Sequence, residues 1–245
     1  MEKAEMKKID IHCHILPGVD DGAKNIEQSL EMLRIAAKDG ITDIIATPHF
    51  HYRRGHATPE EVRRKVQELN DAAKAEGINI TVYPGNELYY THELLEKVKA
   101  GEALTLADSD YVLLEFSPDV EKSKLQRAVY KFLGEGYYPI IAHMERYEAF
   151  RKDREFAYTI EEMGAYYQIN AGSLMGSAGW NTKRFARTML EQGMVRFIAT
   201  DAHDTDKRCP RFGKAAEWIT KKYGEEDLWE YLRDNPQKII ENLGI

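Results

Sequence analysis

The chain has 245 residues, 43% of them hydrophobic and 31% charged, with a net charge of −7. These values are ordinary for a soluble globular protein, long enough for one α/β barrel or two small domains. No block of Lys or Arg is long enough to track a nucleic-acid backbone, so nucleic acid is not the expected partner. A small phosphate ester stays open, because bound cations can invert the local field.

The opening residues carry no apolar signal region, and no run of about 18 apolar residues suits a membrane span. Cys13 and Cys209 therefore read as reduced thiols, and the expectation is a cytoplasmic protein without membrane insertion. Short apolar runs at 8–13, 41–47, 78–83, 110–116, 138–142, 165–170 and 195–200 read as strands. Amphipathic stretches at 26–38, 59–75, 92–100, 122–134, 154–163, 181–192 and 211–222 read as helices, and one or two more follow Glu225 and Pro236. Thr58, Pro59 and Glu61 supply an N-cap, a first-turn proline and a capping-box acid. Asn235-Pro236 repeats the cap-plus-proline pattern. Gly40, Gly77, Gly136, Gly164 and Gly193 each stand between a helix and the next strand, where a left-handed residue ends the helix. Alternating strands and helices with short connections imply a parallel sheet with helices outside it. Seven such units favour a closed or nearly closed barrel in a single domain, residues 1–245. Periodicity alone leaves an open doubly wound sheet as the alternative.

The ionisable residues fall at one end of these units. His12 and His14 end the first strand, and Asp21 follows in its loop. His49 ends the second, Glu87 follows the third, Glu115 lies near the end of the fourth, and His143 ends the fifth. Asp201 and His203 end the seventh. In a parallel barrel these ends converge on one face, where active sites sit. Five imidazoles and four carboxylates without a thiolate suit Mn, Fe, Co or Zn, and nine candidate ligands suit two or three ions, with Glu87 as a bridge. Clustered divalent ions activate a water and stabilise charge at phosphorus. Strand alternation puts Asp10 and His12 on one face, with Asp10 as an orienting partner of a histidine, and puts Ile11 and Cys13 on the other. Arg146 and Arg208 stand three and five residues past His143 and His203, where each can clamp a phosphate oxygen. His51, Tyr52, Arg53, Arg54 and His56, within the loop 50–57, read as a recognition loop, and Tyr89 and Tyr90 as residues that either line the mouth or pack in the core. A cysteine phosphatase needs Arg six positions after its cysteine, but those positions hold Val19 and Ala215. No GxxxxGK[ST] pattern occurs, which argues against a P-loop nucleotide site.

The run IDIHCHILPGVDDG, followed by IATPH, PGNEL, LLEF, IAHMERY and ATDAH, resembles the polymerase and histidinol phosphatase (PHP) family. Within it the bacterial CpsB/CapC/YwqE-type protein tyrosine phosphatases are most similar, over about residues 8–243. The resemblance implies a distorted (β/α)7 TIM-like barrel with a trinuclear, usually manganese-bearing site. It implies hydrolysis of phosphotyrosine on a bacterial tyrosine kinase that controls capsule or exopolysaccharide synthesis. By motif, His12, His14, Glu87 and Asp201 would hold one ion, Glu87, Glu115 and His143 a second, and Asp21, His49 and His203 a third. Arg146 and Arg208 match phosphate-contacting positions. The competing readings are a PHP phosphoesterase acting on a small monoester such as histidinol phosphate, and an inactive binding module. The intact candidate ligand set speaks against the last.

Overall fold

A computed structural model describes residues 7–51 and 55–245. Tyr52, Arg53 and Arg54 of the expected recognition loop lie outside the described residues. The strands are β1 (Lys8–Cys13), β2 (Ile41–Ala46), β3 (His49–Phe50), β4 (Thr81–Pro84), β5 (Glu87–Tyr89), β6 (Tyr111–Glu115), β7 (Tyr138–Ile141), β8 (Tyr166–Asn170) and β9 (Phe197–Ala199). They pair in parallel in the orders β1-β2-β4 and β3-β5-β6-β7-β8-β9. The fold is thus α/β with parallel strands, and helices connect most of them. Seven strands were expected and nine are present among the described residues. The additional breaks fall at Thr47-Pro48 and Gly85-Asn86. At the first, the Thr47 hydroxyl accepts from the Cys13 amide at 3.0 Å. At the second, the Asn86 amide donates to the Pro48 carbonyl at 3.0 Å, and a Cβ on Gly85 would lie 3.0 Å from Ile45 Cγ2. The end of β9 reaches β1: Asp201 N–H donates to the His12 carbonyl, and His14 N–H to the Ala202 carbonyl, both at 2.8 Å.

Alternation divides the core into two apolar clusters. Tyr111, Leu113, Phe197 and Ala199 join a smaller cluster with Ile9, Ile11 and Ile140, while Val112, Leu114, Ile141 and Ile198 pack in the larger one, which includes helix residues such as Leu33, Phe132 and Met189. Glu115 continues the parity of Tyr111 and Leu113. Ile11 and Cys13 fall in different clusters, against the simple alternation expected for β1. The cause is a register irregularity between Asp10 and Cys13, since one extra residue reverses the faces beyond it.

The helix ends largely follow the sequence. The Thr58 hydroxyl accepts from the Glu61 amide at 3.2 Å, and the five glycines ending helices all have positive φ, between 68° and 107°. Asn235 departs from its expected role as a cap. It is helical and buried, its side chain donates to the Arg196 carbonyl at 3.0 Å, and a π-turn at Glu230–Asp234 joins the helices on either side. The wider turn lets the helix run on into Pro236, which lacks an N–H. Among the described residues no helix is long and apolar enough to cross a membrane. Cys13 and Cys209 are both free.

Candidate metal centre

The loop after β1 is pressed back onto His14. A Cβ on Gly22 would lie 2.0 Å from the His14 carbonyl oxygen, so only glycine permits this approach. The fold-back brings Asp20 to the imidazole: Nδ1 of His14 donates to Asp20 Oδ2 at 2.7 Å, and Asp20 also accepts from the Gly22 and His49 amides at 2.9 and 3.0 Å. Nδ1 of His12 donates to Gln168 Oε1 at 3.1 Å, an oxygen that also accepts from the His143 amide at 2.8 Å. Nδ1 of His203 donates to the Asp201 carbonyl at 3.0 Å, and Nδ1 of His143 meets the Tyr147 hydroxyl at 3.3 Å.

With Nδ1 engaged, four imidazoles turn Nε2 towards carboxylates. Nε2 of His12 and of His14 each lie 3.3 Å from Glu87 Oε2, and Nε2 of His143 lies 2.8 Å from Oε1. Nε2 of His203 is 3.4 Å from Asp21 Oδ1, as is that of His49, whose Nδ1 lies 2.9 Å from Glu87. Glu115 stands 3.8 Å from both His49 and His143, and Asp201 3.6 Å from His12 and His14. All nine residues anticipated from the strand ends are therefore together. Donor atoms of His14, Asp21, His49 and His203 lie within 4.8 Å of one another, as do those of His12, His14 and Glu87, and those of His49, Glu87 and Glu115. These groupings share His14, His49 and Glu87 and cross the three sets implied by resemblance.

The donor chemistry fits divalent cations. With each Nδ1 spoken for, Nε2 faces a carboxylate oxygen. Without an ion a proton fills that place, since despite burial Glu87 and Asp201 raise His12, and Asp20 and Glu87 raise His14 well above its ordinary range. A divalent cation can replace that proton between a neutral imidazole and the carboxylate. Burial would raise the Glu87 carboxyl, but His12, then His14 and His143, hold it well below the ordinary range. Burial and the neighbouring Glu87 push Glu115 the other way. Burial and the neighbouring His14 bring His203 down to about 4. Two adjacent carboxylates, one ionised at the expense of the other, are the pattern a cation relieves.

Asp10 lies behind the cluster. It accepts from the Thr200 amide at 3.0 Å, from the Thr200 hydroxyl and from the His12 amide at 3.4 Å, and burial raises its carboxyl to about 6. Arg146 sits on a single turn that begins after left-handed His143 (φ 33°). Its Nη2 donates to Asp201 Oδ2 at 2.6 Å, Arg208 Nη2 donates to Oδ1 at 2.9 Å, and Asn170 adds a third donor at 2.7 Å. The expected phosphate clamps thus converge on one carboxylate. Six of the nine residues are buried, while His49, Glu115 and Asp21 face outward. Above these three opens a pocket of about 640 Å³, walled by His51, Tyr89, Phe116 and Pro118. His51 and Tyr89 stack at 4.6 Å. Of the two tyrosines, Tyr89 lines the mouth and Tyr90, the next residue past β5, packs in the core against Phe116, as neighbouring residues of an extended chain face opposite ways. His56 packs against Phe50, with ring centroids 4.1 Å apart.

Sequence reasoning passed over Asp20, Gln168, Asn170 and Tyr147. Asp20 adjoins Asp21, and Asn170 ends the one strand given no candidate; both were visible signals. Gln168 carried only the weak signal of a polar residue inside an apolar strand.

Comparison with known proteins identifies the family of the chain. Residues 8–241 match the family model for capsular polysaccharide synthesis, CpsB/CapC. The tyrosine-protein phosphatase YwqE of Bacillus subtilis is 36% identical over 237 residues, covering 97% of this chain and 93% of YwqE. The tyrosine-protein phosphatase CpsB of Streptococcus pneumoniae is 36% identical over 239 residues, covering 95% and 98%. A crystal structure from work on these two proteins, described as metal-dependent tyrosine phosphatases, superposes with a TM-score of 0.91 at 35% identity, covering 97% of this chain and 96% of that one. A match of this extent, along with the relatives at more than one-third identity, makes the chain a member of the CpsB/CapC family.

Proposed function

We propose that this chain is a metal-dependent phosphatase that hydrolyses phosphotyrosine on a protein substrate, a bacterial tyrosine kinase of capsule or exopolysaccharide synthesis. The supporting observation is the cluster of imidazoles and carboxylates with an aromatic-walled pocket opening directly above it. The named activity of the relatives points the same way. His12, His14, Asp21, His49, Glu87, Glu115, His143, Asp201 and His203 would hold two or three divalent ions, with manganese the ion we favour and Fe, Co or Zn compatible with the donors. Such ions, when bound, supply an activated water and neutralise charge on the phosphoryl group.

The remaining work falls to the chain's own groups. Asp20 and Gln168 hold His14 and His12 in one tautomer, so that Nε2 stays directed into the cluster. Arg146 and Arg208 bring two guanidinium groups to its edge, and each has N–H donors beyond the one engaged by Asp201. Those donors suit phosphoryl oxygens and the charge that develops on them during transfer. His51, Tyr89 and Phe116 offer rings to an aryl group. An aryl ester also departs with little protonation, since its leaving oxygen has a pKa of about 10.

The strand pattern supports a seven-unit barrel. If β2 with β3 and β4 with β5 each count as one kinked strand, and the hydrogen bonds from β9 to β1 as closure, the distorted (β/α)7 barrel follows.

The test is a substrate panel on Mn²⁺-loaded protein: phosphotyrosine peptide, phosphoserine peptide and histidinol phosphate. The expected result is a kcat/KM for phosphotyrosine at least about tenfold above the others, the scale of specific recognition at one ring. Preference for histidinol phosphate would refute the reading.

A further inference from the structure

The strand ends carry a second pocket, on the other side of the cluster. The aromatic pocket lies over the loops that follow β1, β3, β5 and β6. The second, of about 490 Å³, lies over those that follow β7, β8 and β9. Its chemistry is the reverse of its neighbour's. Arg146, Lys207, Arg208 and Arg211 line it, with Asp201 the single acid, in a chain whose net charge is −7.

These four cations are not equivalent. Arg146 and Arg208 are engaged with Asp201. Lys207 and Arg211 are exposed, line the pocket, and have no side-chain ion pair or hydrogen bond among the described residues. The acids of the same loop are directed elsewhere: Asp204 accepts from the Asp206 and Arg208 amides at 2.7 and 3.0 Å, and neither Asp204 nor Asp206 lines the pocket. The loop's own turn is thus closed by Asp204, while Lys207 and Arg211 are left turned to the cavity.

We propose that this basic pocket is a second anion-binding subsite, which takes an anionic group flanking the phosphotyrosine on the substrate chain. The proposal rests on the phosphotyrosine reading above and adds a determinant of which phosphotyrosine is chosen. A peptide crossing the strand-end face meets the aromatic pocket on one side of the cluster and the basic pocket on the other. Lys207 and Arg211 meet the flanking anion, and Arg146 and Arg208 serve the scissile phosphoryl group. A carboxylate side chain and a second phosphoryl group present the same chemistry to two unpaired cations, and the dianion gains more from them.

The experiment compares three phosphotyrosine peptides of one sequence, with a neutral flank, a glutamate flank, or a non-hydrolysable phosphonate flank. Kinetics are measured on Mn²⁺-loaded wild type and on the double variant Lys207→Ala/Arg211→Ala, at low salt and at 0.5 M NaCl. Wild type should favour the anionic flanks by about fivefold in kcat/KM, mainly through KM, as expected of two solvent-facing charge pairs. The preference should shrink at high salt, where screening is strong. The double variant should lose the preference and keep its kinetics on the neutral peptide within about twofold, since neither residue reaches the cluster. A larger gain with phosphonate than with glutamate identifies a second phosphoryl group as the ligand, and equal gains identify a simple acidic flank. Wild type indifferent to the flank, or a preference that survives the double substitution, overturns the proposal. If no phosphotyrosine peptide is hydrolysed, the phosphotyrosine reading itself fails. The subsite is then decided by fluorescence anisotropy with the labelled phosphonate-flank and neutral peptides: equal affinities overturn it as well.

Discussion

Replacing Asp20 with alanine probes a residue that touches a candidate ligand without being one. Its carboxylate fixes the His14 ring at 2.7 Å and also accepts two backbone amides, those of Gly22 and His49. Asp20→Ala removes all three hydrogen bonds while leaving the candidate ligand set intact. Burial opposes ionisation of Asp20, but its bond to His14 holds the carboxyl far below the usual range, so the lost interaction is charge-assisted. Water can reach part of the vacated space, so the stability cost should be about 2–4 kcal/mol, less than three fully buried orphans would give. The larger effect should fall on the metal. A partner that orients a liganding histidine is worth about 10–100-fold in metal affinity or activity. Mn²⁺ titration of chelator-stripped protein, with hydrolysis measured on the same samples, reads both quantities. Asp20→Ala should bind Mn²⁺ at least about tenfold more weakly and recover part of its activity at high Mn²⁺. Wild-type affinity and wild-type kcat in a folded variant would refute the view that Asp20 sets the His14 ring.

Arg146→Ala should keep its fold and metals, because Arg208 and Asn170 still hold Asp201. It should lose at least about tenfold in kcat/KM on a phosphotyrosine peptide, with Arg146→Lys recovering only part; near wild-type kinetics would make it a solvated loop residue. Cys13 is buried in the apolar core, and burial raises its thiol well above the ordinary range. Cys13→Ser should therefore stay within a few fold of wild-type kcat, while His14→Ala loses most of it. Inactivity of a folded Cys13→Ser protein would revive a thiolate mechanism. His203 has a folded-state pKa of about 4, below the unfolded value of about 6.5. The unfolded chain then takes up the proton first, so its contribution to stability is whole above pH 6.5 and declines as the pH falls towards 4. Between pH 7.5 and 5 the loss is about 2 kcal/mol. Urea unfolding of metal-free protein should give His203→Gln a shallower acid decline than wild type, and parallel profiles would contradict the assignment.

The candidate site was legible because the strand–helix units repeat their chemistry. His49, Glu87, Glu115 and His143 recur at the same end of successive units, and a parallel arrangement carries them to one place whether or not the strands run unbroken. The breaks at Thr47-Pro48 and Gly85-Asn86 were not legible, because they depend on Cys13 and Asn86 making contacts across the sheet. The faces of Ile11 and Cys13 were misjudged for a related reason: the irregularity in β1 answers to the pairing with β2, and strand periodicity does not register it. Asn235 reads as a cap in isolation, yet the carbonyl of Arg196 gives its side chain another use. Gln168 and Tyr147 were hidden because their role is defined by the ring nitrogen they face, and only the fold shows that Asp20, visible beside Asp21, faces Nδ1 of His14. Local sequence carries the identity of a histidine but not which of its nitrogens is left free. The two arginines were singled out by spacing and by resemblance, and their shared hold on Asp201 emerged only from the fold.

The central claim is that several cations, held by the nine clustered residues, are required for phosphotyrosine hydrolysis. The direct measurement is a reconstitution series in which chelator-stripped protein receives increasing Mn²⁺, with bound metal counted by mass spectrometry and phosphotyrosine-peptide turnover read on each sample. The account predicts no turnover in stripped protein and activity that rises with occupancy to a plateau above one ion per chain. Full hydrolysis in metal-free protein, or a plateau of bound metal with no turnover, would contradict it.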